Sequence, residues 1–119
     1  MNIDLTILNW QDSHELLASA IIPRPIAFVS TVDEDGIFNL APFSCCIPVA
    51  VKPALVGLGI GSRRDGSLKD TILNIEFSRE FVIAVVTEAL AEAMNQTSAD
   101  YASDVDEFKE VGLTPVKRI

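Results

Sequence analysis

Residues 23–44, PRPIAFVSTVDEDGIFNLAPFS, decide how this chain folds. Residues 26–32 are rich in β-branched and aromatic side chains and read as a strand. Asp33-Glu34-Asp35-Gly36 reads as a turn in which Gly36 is free to take a positive φ. Residues 37–41 return antiparallel and complete a β-hairpin. Pro42 and Pro48 then limit the regularity of pairing beyond it, because proline has no N–H to give to a ladder.

On the N-terminal side, Asp12 or Ser13 is placed to cap a short helix over residues 14–20. Ile22-Pro23-Arg24-Pro25 stops it. On the C-terminal side, residues 54–60 read as a second apolar strand and 61–66 as a loop. Ser67 reads as an N-cap, with Asp70 in a capping-box-like position. The helix that follows sets Leu68, Ile72 and Ile75 on one stripe. Residues 81–87 read as a core strand, 88–94 as a short Ala-rich helix, and 104–111 as another helix ended by Gly112 and Pro115. The expected fold class is therefore α+β, with a mainly antiparallel sheet curling toward a barrel and short peripheral helices. Four strands leave open edges. Either residues 3–8 and 113–119 add strands, or a partner chain covers the edge.

A chain of 119 residues is expected to be a single domain over 1–119. With 49% apolar residues it can bury a core without disulfides. No apolar run reaches the roughly 18 residues that cross a bilayer. The acidic start, MNIDLTILNWQDSHELL, is not built like a signal peptide, so no membrane partner and a cytoplasmic location are expected. A net charge of −8 argues against a nucleic-acid partner. Lys52, Arg63, Arg64, Lys69 and Arg79 nevertheless form a cationic island, which suits a small anionic ligand or is a solvated basic turn.

Several motifs lead nowhere. Cys45 and Cys46 are adjacent, point to opposite faces and are not expected to pair; one or both read as small buried hydrophobes. With one histidine and no CxxC, a metal site is not expected. Gly57, Gly59 and Gly61 lack the spacing and helix entry of a dinucleotide fingerprint and read as points of close packing. Asp12, Ser13 and His14 do not converge as a triad, and His14 reads as a surface helix residue.

Two segments carry more. In residues 67–71, Lys69 and the Thr71 hydroxyl fall in a first helical turn whose N–H groups favour an anion, and Arg63 or Arg64 can add charge. Asp70 opposes this unless it orients a cation. An ordinary capped helix is the alternative. In residues 39–44, Asn39 and Ser44 bring polar groups and Phe43 a flat apolar face, which suits the edge of a ring system. A hairpin with an irregular end is the alternative.

Taken in order, PRPIAFVST, DEDG, NLAPFS, SLKDTILNI, EFVIAVV and AEAMNQTS resemble the flavin reductase-like, FMN-binding split-barrel family over about residues 20–115. The resemblance implies a split β-barrel and a homodimer with FMN near the subunit interface. It also implies NAD(P)H-dependent flavin reduction, service as the reductase of a two-component monooxygenase, or flavoredoxin-type electron transfer. A flavin carrier without nicotinamide access, or a shortened relative without flavin, are the rival functions. Carried over by position, Ser30 and Thr31 approach the ribityl-phosphate or ring edge. Asn39, Ala41, Pro42, Phe43, Ser44 and Cys45 line the ring and ribityl chain. Ser62, Arg63, Lys69, Asp70 and Thr71 form the phosphate end, and Asn95 and Ser98 match a later polar segment. No residue is expected to be a catalytic acid or base, since the cofactors carry the hydride chemistry. Family members commonly continue for several strands past residues 115–119, so the resemblance also implies a C-terminally short barrel.

Overall fold

The computed structural model of the chain describes residues 2–116. The hairpin forms as its sequence dictates: β1 (Ala27–Val32) pairs antiparallel with β2 (Phe38–Phe43), and Val29 lies opposite Ala41 and Thr31 opposite Asn39. The turn is held by Asp33, whose Oδ1 accepts from the N–H of Asp35 at 2.9 Å and of Ile37 at 2.8 Å. Gly36 has φ +83°, a conformation that costs glycine nothing. Pro42 lies inside β2 rather than ending it.

Alternation along the hairpin makes two cores. Ala27, Val29 and Phe43 face one side, where Leu58, Ile60 and Ile83 join them. Phe28, Leu40 and Phe108 face the other, with Met94 and Val86 against them. Val29 is 0% exposed, and burying a side chain of that size contributes about 1.5–3 kcal/mol.

β3 (Cys46–Val51) and β4 (Ala54–Leu58) form a second antiparallel pair, with a bulge between Pro48 and Ala50. β3 was not expected as a strand; its bulge is the irregularity that Pro48 imposes. After a loop come α2 (Asp70–Ser78) and β5 (Val82–Val85), which pairs with β1 on the side away from β2. The order of the larger sheet is β2-β1-β5. The architecture is α+β with antiparallel sheets, but the two sheets are separate and the described residues close no barrel.

The helices start where side chains or backbone allow, not always where expected. α1 (Trp10–Ala20) is capped by Asn9, whose Oδ1 accepts from the Asp12 N–H at 2.9 Å; Asp12 is in the first turn, and neither it nor Ser13 is the cap. Residues 3–8 add no strand. They hold a short 3-10 turn, Leu5–Ile7, capped by Asp4. Ser67 does not cap α2: its amide and hydroxyl bond Asp65 at 2.9 and 2.6 Å and hold that carboxyl below its usual range. Lys69 stands at the N-cap position, and no side chain caps the helix. The expected 88–94 helix is a 3-10 turn, Glu88–Leu90, followed by α3 (Ala91–Gln96). The 104–111 helix is the single turn α4 (Glu107–Glu110), capped by Asp106.

The expected apolar stripe of α2 is also revised. Leu68 precedes the helix and is 44% exposed, whereas the residues α2 buries are Thr71 and Asn74. Cys45 is exposed rather than buried, while Cys46 is half-buried and packs against the Ala27, Val29 and Phe43 core; both are free thiols. The glycine reading holds at two of its three positions. A Cβ on Gly57 would lie 3.0 Å from the Val49 side chain and one on Gly59 2.9 Å from the Cys45 Cβ, while Gly61 faces open space. Residues 113–116 form no strand, and 117–119 lie outside the described residues. No helix among the described residues is long and apolar enough to cross a membrane.

Candidate functional site

The start of α2 faces the end of β2 across a cleft of about 490 Å³. Its lining includes Asn39, Ala41, Pro42, Arg63, Lys69, Asp70, Thr71 and Ser98, eight residues that the sequence singles out from four separate segments. The hairpin register supplies the first three, the α2 start the next cluster, and the turn after α3 supplies Ser98. His14, Thr97, Ala99, Asp100, Tyr101 and Glu107 complete it. His14 is exposed on α1, as expected, and also borders the cleft.

The cations occupy different settings. Arg63 pairs with Asp70 and makes a long 3.5 Å contact to the Tyr101 carbonyl oxygen. Asp70 therefore orients a cation, the condition under which it does not oppose an anion. Lys69 forms no ion pair among the described residues; its Nζ lies 5.7 Å from the centre of the Phe43 ring. Phe43 is buried in the core under that ammonium, with 6% exposure.

The floor is a closed polar network. Asn39 is 9% exposed, Thr31 4% and Thr71 1%. Thr71 Oγ1 donates to Asn39 Oδ1 at 2.8 Å, Thr31 Oγ1 donates to the same oxygen at 3.2 Å, and Asn74 Nδ2 donates to Thr31 Oγ1 at 3.0 Å. Asn39 Nδ2 donates to the Glu107 carboxylate at 2.8 and 3.0 Å, and the Leu40 N–H donates to it at 2.8 Å. Burial pushes the Glu107 carboxyl above its ordinary value; the Leu40 N–H and the Asn39 amide pull it back, and the Asp70 charge adds to the rise.

Other residues of interest lie elsewhere. Ser30 and Thr31 line a separate, more apolar cleft of about 640 Å³, together with Arg79, Phe81 and Val82. Ser44, Cys45, Ser62 and Asn95 are outside the lining of the Lys69 cleft. Glu107 carried no sequence signal. It is one acid in an acidic stretch, and its partners are 67 and 68 residues away.

Residues 18–118 match the family described as Flavin reductase like domain. The chain belongs to the flavin reductase-like split-barrel family. A protein of Aquifex aeolicus is 39% identical to it over 102 residues, covering 86% of this chain and 52% of the relative. The crystal structure of nitrilotriacetate monooxygenase component B from Bacillus cereus superimposes with a TM-score of 0.91 at 34% identity, covering 100% of this chain and 58% of that one. The 2-nitrobenzoate 2-nitroreductase NbaA of Pseudomonas fluorescens gives 0.83 at 30% identity, covering 100% and 57%. This flavin reductase-like chain spans about half the length of the curated relatives it matches.

Proposed function

We propose that this flavin reductase-like chain binds FMN in the Lys69 cleft and passes electrons between NAD(P)H and that flavin. The observation that carries the reading is the ammonium of Lys69, without a carboxylate partner among the described residues, beside a helix start that no side chain caps. That donor set is chemically suited to a phosphate. A volume near 490 Å³ falls within the range of cofactor pockets.

In this reading Lys69 and Arg63 hold the phosphate, and Ser98 hydrogen-bonds the polar chain. Ala41 and Pro42 give the flat ring an apolar wall. Asn39 and Thr71 keep the floor rigid and dry. Bound FMN would supply the two-electron acceptor. The protein's own part is orientation and exclusion of water, with no side chain required as acid or base.

By analogy with the monooxygenase component named above, reduced flavin would serve a separate oxygenase. A homodimer is proposed as well. The β3–β4 pair leaves Ile47, Val49 and Val51 at 61%, 61% and 92% exposure, which favours a covering partner. A folded monomer on sedimentation would remove that part.

The primary test is visible absorbance of the protein after incubation with FMN and gel filtration. Retained flavin bands that NADH or NADPH bleaches are the expected result. Retained bands that neither bleaches would make the chain a carrier, and no retained flavin would refute the binding reading. FAD run in parallel tests the choice of FMN.

A further inference from the structure

The hydrogen bonds beneath the cleft have a direction that follows from chemistry alone. Once ionised, the Glu107 carboxyl only accepts. Glu107 faces the Leu40 N–H and the Asn39 amide, so the Asn39 group turned toward it is the NH2. The Asn39 carbonyl oxygen is then turned the other way, where Thr31 and Thr71 must both donate to it. Thr31 Oγ1, its proton spent on Asn39, accepts from Asn74. One acceptor on α4 thereby sets the sense of the side-chain hydrogen bonds among Thr31 on β1, Asn39 on β2, and Thr71 and Asn74 on α2.

We infer that Glu107 is the positioning residue of the cleft: through Asn39 it turns the Thr71 hydroxyl proton into the protein and clamps the first turn of α2 against β2. The clamp stands on the geometry; its effect on ligand rests on the flavin reading above. Because the Thr71 hydroxyl is committed inward and the residue is 1% exposed, anion recognition at this end belongs to Lys69 and Arg63 rather than to Thr71. This departs from the expectation that Thr71 is a phosphate ligand.

The direction predicts a specific failure and a specific rescue. In Glu107→Gln the side-chain oxygen can accept from Leu40, but the new NH2 then meets the Asn39 NH2. The 3.0 Å bond from Asn39 to the retained oxygen persists, but the 2.8 Å contact becomes NH2 against NH2; relieving it turns Asn39, and the Thr31 and Thr71 hydroxyls then lose their acceptor. Adding Asn39→Asp restores it. In the double variant the amide introduced at position 107 donates to one oxygen of the carboxylate introduced at position 39. The other oxygen of that carboxylate accepts from both threonines, and the net charge is unchanged.

The experiment compares the whole chain, E107Q and N39D/E107Q by amide hydrogen exchange, thermal unfolding and FMN titration. In E107Q, exchange at the Ile72 and Leu73 amides, which donate to the Lys69 carbonyl oxygen, is expected to quicken about ten-fold, the effect of leaving a buried hydroxyl unpaired. FMN affinity should fall by a similar factor of about ten, while strand amides in β1 keep their protection. The double variant should recover most of both. Wild-type exchange and affinity in E107Q, or a double variant no better than the single, would overturn the inference. Should E107Q not fold, a folded double variant supports the clamp and an unfolded one refutes it. Should the wild-type chain bind no FMN, the flavin reading falls, and the exchange rates still decide the role of Glu107.

Discussion

Replacing Lys69 by alanine removes a charge that stands at the N-cap of α2 without an ion-pair partner among the described residues. Two unit charges about 4 Å apart interact by about 1 kcal/mol in water and about 4 kcal/mol near a protein surface. Lys69 is half-buried, so a value of about 1.5–2.5 kcal/mol toward a phosphate is appropriate. That corresponds to a roughly ten- to seventy-fold rise in the Kd for FMN. Riboflavin lacks the phosphate, and its Kd should change by less than about two-fold. Folding should lose no more than about 1 kcal/mol, the scale of the cation–π contact with Phe43. Titration of both flavins by fluorescence quenching, at low and at raised salt, reads this directly. Added salt should shrink the difference between wild type and variant, since the lost interaction is electrostatic. Equal losses for FMN and riboflavin, or a loss matched by unfolding, would refute the assignment of Lys69 to the phosphate.

Other outcomes follow from the core and from Glu107. The Glu107 carboxyl is raised above its ordinary 4.5, mainly by burial, so the folded state keeps this proton at pH values where the unfolded chain has lost it. Its contribution to stability is complete below that ordinary value and is lost as pH rises through the folded one. The Tm of wild type minus that of E107Q should therefore decline as pH rises from about 4 upward, and a flat or rising difference would contradict the buried-carboxyl argument. Gly59→Ala should cost about 1–3 kcal/mol, because its Cβ would lie 2.9 Å from the Cys45 Cβ. Gly61→Ala faces open space and should be near neutral; urea denaturation of both compares them in one assay. Phe108→Ala, at an 8% exposed site packed with Phe28 and Leu40, should lose about 3–5 kcal/mol. Phe77→Ala, 62% exposed, should lose less than about 1 kcal/mol in the same measurement.

What was legible in the sequence was local. The β1–β2 hairpin is written in a strand rich in β-branched and aromatic residues and a turn where Asp33 and Gly36 each do what their chemistry allows. The cationic island was legible only in part: Lys69 and Arg63 meet in one cleft, whereas Arg79 lines the other and Lys52 and Arg64 line neither. Pro48 obscured β3, because its cost depends on whether a partner strand needs its N–H, and a bulge beside β4 removes that need. The α2 stripe misled for a related reason. A helix buries whichever face its neighbour can satisfy, and β1 and β2 present Thr31 and Asn39 at that place, so Thr71 and Asn74 go inside.

The sequence by itself determined the hairpin, the family and the chemical character of the candidate site, since these depend on residue order and on groups close along the chain. Only the tertiary structure decided that Arg63 is tied to Asp70, that the Thr71 proton points inward, and that Glu107 governs both Asn39 and the edge of β2. The physical reason is that a hydrogen bond's value and direction depend on what desolvates and faces the groups. For Glu107 that environment comes from a strand 67 residues earlier in the chain.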